Sequence, residues 1–174
     1  APRTPSAPGS LGRGQLEAFA RGDLPGCWGP GFERAATHTL SPRIAAGDML
    51  LLQEVTDIER DGGPWQRGYL RATWDFQPDD WFFDGHFKGD PCMPGTLMFE
   101  GCLQAMAVYM TGLGFTVDRD GWAFEPERDV PYQLRCRGQA TPTSRELVYE
   151  IFVLAREHQA AVHPRLLPQG RNHG

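Results

Sequence analysis

The sequence lacks an excess of positive charge. Its 174 residues include 17 Lys and Arg against 22 Asp and Glu, so the formal net charge is −5 at pH 7. Nucleic acids and anionic lipid surfaces are bound through clusters of Lys and Arg that offset phosphate charge. The composition therefore provides no general binding surface for either, and we expect neither a nucleic acid nor a membrane as a partner.

Long hydrophobic runs are also missing. Uninterrupted apolar stretches such as residues 49–52 (MLLL) are only a few residues long, whereas a helix that crosses a bilayer needs roughly 20 apolar residues. Residues 1–14 contain no apolar core of the kind that a secretory signal requires, and their Pro, Ser and Gly content is typical of a linker. We therefore expect a cytoplasmic protein whose first 14 residues form a linker before the folded domain.

Cysteine is sparse and widely spaced. The four residues Cys27, Cys92, Cys102 and Cys136 include no C-x-x-C pair, so zinc binding is not indicated. A chain of this length builds a core without covalent crosslinks, and we expect the thiols to be reduced. The content of 40% hydrophobic and 22% charged residues is typical of one globular domain.

The segments that are present favour an antiparallel sheet. Residues 49–58 and 68–74 are rich in branched and aromatic side chains, and the turn sequence at 61–64 (DGGP) between them predicts a hairpin. Two further strands are predicted over residues 122–136 and 146–154. The sheet is therefore expected to contain at least these four strands.

One long helix is predicted over residues 96–113. Its apolar residues recur at helical spacing and run almost all the way round the helix, and Gly112 and Gly114 mark its end. A helix that is apolar on all sides is expected inside a protein rather than on its surface. The sequence therefore predicts an α+β fold with strands on both sides of a central helix.

The residues best suited to chemistry lie within the stretch 81–104 (WFFDGHFKGDPCMPGTLMFEGCLQ). His86 is surrounded in the sequence by Phe82, Phe83 and Phe87. Such surroundings favour a neutral imidazole, which is able to take a proton near pH 7. We therefore interpret His86 as a candidate general base.

The start of the predicted helix adds two groups. The Gly95 amide lies where unpaired N–H groups and the positive end of the helix dipole hold a carbonyl oxygen that gains negative charge. Glu100 follows within the first two turns, where burial and the helix end act on its carboxyl in opposite directions, so its protonation state stays open. A base, an oxyanion donor and an acid together suit elimination of water from a 3-hydroxyacyl thioester, and they also suit several other reactions.

Each of these residues also has a plainer interpretation. A His among aromatic side chains is most often a packed residue, and a carboxylate near a helix start is favoured by the dipole alone. Asp84, His86 and Asp90 do not form a complete ligand shell, so we expect no metal. Cys92 and Cys102 are interpreted as small apolar side chains that fill space.

Three short motifs follow one another in this stretch: His86-Phe87, Gly-Asp-Pro at 89–91 and Met-Pro-Gly at 93–95. They resemble the active-site region of the hot-dog-fold β-hydroxyacyl-ACP dehydratases of the 3-hydroxydecanoyl-ACP dehydratase type, in which the same motifs open the central helix. The sequence of residues 90–110 (DPCMPGTLMFEGCLQAMAVYM) is similar to that of dehydratase domains of polyunsaturated fatty acid synthases and iterative polyketide synthases. The likeness extends more loosely over roughly residues 20–154.

The resemblance implies a fold and a role for each motif residue. The fold is a hot dog, in which an antiparallel sheet wraps around one long central helix, here over residues 15–154. By the same resemblance His86 would be the catalytic base, Gly95 would donate its amide to the thioester carbonyl, and Glu100 would stand where the family keeps its catalytic Asp or Glu. The other residues assigned to substrate binding are Phe87, Trp81 and Pro94.

The resemblance also implies a reaction and partners. The substrate would be a (3R)-hydroxyacyl thioester carried on the phosphopantetheine of an acyl carrier protein, the product the trans-2-enoyl thioester, and no other cofactor is expected. In the family the His and the carboxylate of one pocket come from two hot-dog units, which implies a homodimer or a tandem unit. Decanoyl-type members usually have Asp at the position of Glu100, whereas related dehydratases that do not isomerise usually have Glu, so isomerase activity stays open.

The sequence departs from the family pattern after the strand predicted over residues 146–154. Members continue with two more long strands, whereas residues 155–174 lose the strand pattern and predict a disordered tail. We therefore expect a hot dog that is truncated at its C-terminal strands and whose open edges require a partner. Two alternative functions stay open: a catalytically silent scaffold or acyl-binding unit of a larger synthase, and a hot-dog thioesterase.

Overall fold

The computed structural model describes residues 8–124, 129–135, 137–154 and 164–166. The helices are α1 (Arg13–Ala20), α2 (Leu24–Trp28), α3 (Trp81–Gly85) and α4 (Gly95–Gly112), with 3-10 turns at Glu33–Thr37 and Gly47–Met49. The strands are β1 (Glu54–Glu59), β2 (Tyr69–Asp75), β3 (Glu146–Val153) and β4 (Pro164–Leu166). Within the described ranges, every helix is too short or too polar to span a bilayer.

The strands form one antiparallel sheet in the order β1-β2-β3-β4. The hairpin predicted around residues 61–64 is confirmed, because β1 pairs with β2 across this turn. The strand predicted over residues 146–154 is also confirmed and pairs with β2, with Leu70 opposite Ile151. Both of these side chains are fully buried, so the centre of the sheet contributes directly to the core.

Helix α4 packs against β2 and β3 and confirms the helix predicted over residues 96–113. Ala105, in the middle of the helix, is fully buried. Gly101 lies so close to Tyr149 of β3 that a Cβ atom at position 101 would collide with the phenol ring. The absence of a side chain at Gly101 therefore brings the first turns of α4, which carry Glu100, directly onto the sheet.

The N-terminal boundary of the fold differs from the prediction. Residues 1–14 were expected to be a linker, but Leu11 is fully buried and forms an antiparallel bridge with Val55, and α1 begins at Arg13. The amide and the carbonyl of Leu11 each bond to Val55 at 2.8 Å, because the outer edge of β1 presents backbone groups that require partners. The fold therefore includes residues before position 15.

The two N-terminal helices are held together by an aromatic cluster. The ring of Phe19 meets the ring of Trp28 edge-on with 4.6 Å between centroids, and Trp28 stacks on Phe32 at 5.5 Å. All three side chains are buried. This cluster fixes α1, and with it Arg13, against the rest of the fold.

The strand predicted over residues 122–136 is a second prediction that the structure corrects. In the part of it that the structure describes, residues 122–124 and 129–135, there is no strand. Pro131 has no amide hydrogen to donate, and Asp129 has a φ of 63°, which interrupts an extended backbone. The aromatic content of this segment therefore misled the prediction, and its other residues lie outside the described ranges.

The disordered tail predicted over residues 155–174 is a third prediction that the structure corrects, in the part of it that is described. Pro164–Leu166 forms β4, which pairs antiparallel with the end of β3, with Pro164 opposite Val153. The backbone of β3 presents ladder groups on this edge that a short strand satisfies. The other residues of the predicted tail lie outside the described ranges.

Candidate active site

His86 is held in place by the turn that follows it. The Phe87 amide donates to the Asp90 carbonyl and the Asp90 amide donates to the Phe87 carbonyl, each at 3.0 Å. Between them Gly89 has a φ of 83°, a conformation that favours glycine. The Cys92 amide then donates to the His86 carbonyl at 2.7 Å. The Gly-Asp-Pro motif thus folds the chain back so that Cys92 lies beside His86.

The same turn orients the half-buried imidazole ring of His86. Its Nδ1 atom lies 3.0 Å from the carbonyl oxygen of Cys92. A carbonyl oxygen only accepts hydrogen bonds, so Nδ1 carries the hydrogen in this pair. The Sγ atom of Cys92 lies 3.5 Å from the same nitrogen. In the neutral ring Nε2 is then the nitrogen without a hydrogen, which is the atom able to take a proton from a substrate.

Two of the predicted substrate-binding residues are exposed aromatic side chains. The ring of Phe87 lies over the imidazole of His86, with 3.8 Å between centroids, and 56% of Phe87 is exposed. Trp81, the first residue of α3, is 44% exposed, and its indole N–H donates to the Asp48 carbonyl at 3.1 Å. Phe87 therefore covers one face of the candidate base, and Trp81 contacts the chain just before Met49.

The start of α4 lies next along the chain. Pro94 precedes the helix, and its carbonyl accepts from the amides of Leu97 at 3.0 Å and Met98 at 3.2 Å. Gly95 is the first helical residue. The first N–H groups of an α-helix have no acceptor within the helix, and the positive end of the dipole lies at the same place. The Gly95 amide is thus placed to donate to an oxygen that becomes negative.

Glu100 is held by a buried glutamine one turn further along α4. The side-chain amide of Gln104 donates to Glu100 Oε1 at 2.9 Å and to the Met49 carbonyl at 2.7 Å. Its oxygen accepts from the Leu51 amide at 3.0 Å. Gln104 is only 2% exposed, and turning its amide over would break all three bonds. The carboxyl group of Glu100 therefore has a fixed neighbour with a fixed orientation.

Gln104 is the functional residue that the sequence reasoning missed. The available signal was its place four residues after Glu100, which puts both side chains on one face of the helix. A buried amide in a largely apolar helix also requires a hydrogen-bonding partner. What the sequence did not provide was the identity of its other partners, because Met49 and Leu51 are more than fifty positions away.

Two thiols lie near these residues. Cys92 and Cys102 are free and buried, and burial raises the pKa of the Cys102 thiol above its ordinary value. Cys136 lies outside the described ranges. In the described part of the chain, no three His, Cys, Asp or Glu side chains are grouped as metal ligands would be.

The structure forms two separate halves of a site. His86, Phe87 and Cys92 lie together at the turn, and Glu100 lies with Gln104 on α4. Among the described residues, neither a hydrogen bond nor an ion pair joins His86 to Glu100. One described chain thus supplies an imidazole, the start of a helix and a carboxyl group, without a hydrogen bond or an ion pair between the first and the last.

A comparison with known families places these residues in context. The family model described as FabA-like domain matches residues 44–164, which includes all of the motif residues and both halves of the site. The match covers 164 − 44 + 1 = 121 of 174 residues, well over half of the chain. It confirms the predicted α+β hot-dog fold, and it is consistent with hydroxyacyl dehydration in fatty acid synthesis. The chain belongs to the FabA-like domain family.

Proposed function

We propose that this chain removes water from a (3R)-hydroxyacyl thioester on an acyl carrier protein and forms the trans-2-enoyl thioester. The family is consistent with such a reaction, and the observation that carries the proposal is the bond from His86 Nδ1 to the Cys92 carbonyl, 3.0 Å long. This bond leaves Nε2 as the basic nitrogen. The similarity of residues 90–110 to synthase domains supports a place in fatty acid or polyketide synthesis.

The reaction follows from the three groups. Nε2 of His86 takes the proton from C2 of the acyl chain, and the electron pair moves toward the thioester carbonyl. The Gly95 amide and the positive end of α4 stabilise the negative oxygen. The electron pair then forms the C2–C3 double bond as the hydroxyl group leaves C3. A proton from the Glu100 carboxyl converts that hydroxyl group to water. The carboxylate returns to its protonated state by taking up the proton that His86 holds, either directly or through water.

The acid and the base of one pocket come from two hot-dog units in this proposal. Within the described chain neither a hydrogen bond nor an ion pair joins His86 to Glu100, which supports this arrangement. A homodimer would place His86 of one copy against Glu100 of the other, and a tandem unit in a longer polypeptide would do the same. The oligomeric state is therefore part of the activity.

Substrate binding uses the apolar surface around these groups. Phe87, Trp81 and Pro94 are proposed to line the path of the acyl chain and the pantetheine arm, and the exposure of both aromatic rings supports this role. The phosphopantetheine belongs to the carrier protein, and the proposal requires no other cofactor. The two groups of the chain that move protons in the steps above are the side chains of His86 and Glu100.

The test is turnover of a 3-hydroxyacyl pantetheine thioester by the full chain, with the product identified by mass. Loss of one water from the thioester supports the proposal, and His86→Ala is expected to lower its rate by about a thousandfold. Binding without turnover would instead favour a silent acyl-binding scaffold, and release of the free acid would favour a thioesterase. A wild-type rate in His86→Ala would remove His86 from the role of base.

A further inference from the structure

The segment of residues 49–52 is held from two opposite sides. On one side, Gln104 accepts from the Leu51 amide at 3.0 Å and donates to the Met49 carbonyl at 2.7 Å. On the other side, the guanidinium Nη1 of Arg13 donates to the carbonyls of Leu50 at 3.2 Å and Leu52 at 3.0 Å. The carbonyls of Leu50 and Leu52 thus face Arg13, whereas the Leu51 amide and the Met49 carbonyl face Gln104.

Arg13 is itself firmly placed. It is the first residue of α1, its side chain is 31% exposed, and its Nε donates to Glu17 at 3.3 Å. The guanidinium carbon lies 5.8 Å from the centre of the Trp74 ring on β2. A planar guanidinium with several partners loses little additional freedom for each hydrogen bond that it forms. The helix start and the sheet thus both fix the group that holds the Leu50 and Leu52 carbonyls.

These contacts form a continuous path from α1 to Glu100. Arg13 holds the segment of residues 49–52, the segment holds the amide group of Gln104, and Gln104 donates to Glu100 at 2.9 Å. Leu50, Leu51 and Leu52 are fully buried, so the segment is packed on the inside while it is bonded along both edges. A displacement of its backbone would therefore reach the Gln104 amide directly.

We propose that Arg13 is a positioning residue for the carboxyl group of Glu100 and acts through the segment of residues 49–52 and Gln104. The inference rests on the proposed function, in which Glu100 is the acid. Arg13 touches none of the reacting atoms, and it lies outside residues 44–164 that match the FabA-like domain. The first helix of the chain thereby contributes to the geometry of a site that the matched domain carries.

The central variant is Arg13→Met in the full chain, which removes the charge and the donors but keeps an unbranched apolar stem. Glu17→Gln is the matched control, since it removes the ion pair with Arg13 and leaves the bonds to Leu50 and Leu52 in place. Arg13→Lys keeps a cationic donor and tests for rescue. It also supplies the same comparison if Arg13→Met does not fold.

Two measurements do not depend on turnover. Hydrogen exchange at the Leu51 amide reports its bond to Gln104, and the ¹³C shift of the Glu100 carboxyl carbon reports its contact with the same amide. In Arg13→Met we expect exchange at Leu51 to rise by about tenfold and the Glu100 signal to move. In Glu17→Gln both are expected to stay at the wild-type values, and Arg13→Lys is expected to lie between.

Kinetics then connect the path to the reaction. Arg13→Met is expected to lower kcat by about tenfold, because a misplaced acid slows the chemical step, while KM changes by less than about twofold. In a Gln104→Leu background, Arg13→Met is expected to lower kcat no further, because the path of contacts from Arg13 to Glu100 is already interrupted. An equal loss of kcat with and without Gln104 would overturn the proposal. Unchanged Leu51 exchange and an unchanged Glu100 signal in Arg13→Met would also overturn it.

Failure of the proposed function gives a different result. If Glu100→Gln keeps the wild-type rate, or if no enoyl thioester forms at all, Glu100 is not the acid of a dehydratase. The exchange and ¹³C measurements then still decide whether Arg13 positions Glu100. The two proposals therefore stand or fall on separate observations.

Discussion

The two halves of the candidate site are built in different ways. The bonds that orient His86 all close within residues 86–92, a single turn with Gly89 at its bend. Glu100 depends instead on Gln104, whose other partners lie at residues 49 and 51, and on the contact of α4 with β3. His86 is thus positioned by local structure, and Glu100 is positioned by contacts distant in sequence.

This difference has consequences for how each half responds to substitution. A turn closed by its own backbone keeps its shape when distant parts of the fold loosen, because few non-local contacts are needed to form it. A side chain held by a buried network responds to any change in that network, since unpaired buried groups are costly. We therefore expect substitutions on α4 and in the N-terminal region to disturb Glu100 and to leave the His86 turn intact.

The largest expected effect is on the His86 half of the site, which is held by local contacts. Replacing His86 with Ala removes the proposed base and is expected to lower kcat by about a thousandfold, within the usual range for a general base. The turn is closed mainly by backbone bonds, so the melting temperature should change little. The measurement is enoyl thioester formation together with thermal unfolding. His38→Ala, at a half-buried loop histidine that contacts Ser41, is the matched control and should retain full activity.

The second-largest effect is on the Glu100 half of the site, which is held by contacts distant in sequence. It concerns both activity and stability. Gln104→Leu keeps the volume but leaves the Leu51 amide and the Met49 carbonyl without their partner. We expect the free energy of unfolding to fall by about 2–4 kcal/mol, since each unpaired buried group costs on the order of 1–3 kcal/mol. Because Glu100 also loses its donor, kcat should fall by about a hundredfold.

Denaturant unfolding and steady-state kinetics measure the two parts of that prediction. Gln77→Leu, at an exposed glutamine in the loop after β2, is the control and should change neither. A Gln104→Leu protein that is as stable as the wild type would contradict the view that long-range contacts hold this half together.

The same division explains what the sequence could predict. The hairpin at 61–64, the helix at 96–113 and the strand at 146–154 follow from local patterns, and the structure contains all three. The turn at His86 was also recognisable, because its motif contains the residues that close it. The local sequence pattern predicts such features, because the interactions that form them lie within a few residues of one another.

Features that depend on distant partners were not predictable in this way. The burial of Leu11 requires the edge of β1, and the role of Gln104 requires the segment of residues 49–52. The predicted strand over residues 122–136 failed for the opposite reason, because its apolar side chains suited a strand while Pro131 prevented regular pairing. In the first two cases the deciding partner is distant in sequence, whereas in the third the interrupting proline lies within the segment itself.

A smaller effect is expected from Gly101→Ala, one residue after Glu100. The added methyl group would meet the Tyr149 phenol, so α4 must shift away from β3. Overpacking of this kind typically costs about 1–3 kcal/mol in the free energy of unfolding. If the halves are independent, the chemical shifts of Glu100 change and those of His86 do not.

NMR spectra of the two side chains and thermal unfolding test this prediction. Gly138→Ala is the matched control, because nothing lies within 4 Å of a Cβ atom at that position, and it should behave like the wild type. Equal shifts at both His86 and Glu100 in Gly101→Ala would show that the halves are mechanically coupled after all.

The smallest effect concerns a distant contact that lies on the surface. The carboxylate of Asp120 accepts from the Leu40 amide, the Thr39 amide and the Thr39 hydroxyl, and these bonds lower its pKa from 3.8 to about 2. A depressed pKa means that the folded state favours the charged carboxylate, so the stabilisation is complete above the ordinary pKa and is lost as pH falls through the folded value. Asp120→Asn lacks this charge at every pH, so its melting temperature should lie below that of the wild type at neutral pH, and the difference should close as the pH approaches 2.

Asp118→Asn, which removes only the exposed pair with Arg34, should show a smaller difference at neutral pH, and kcat should stay at the wild-type value in both variants. A loss of kcat in Asp120→Asn would mean that long-range contacts reach the Glu100 half even from the surface, and the distinction between the buried network and the rest of the fold would then have to be redrawn.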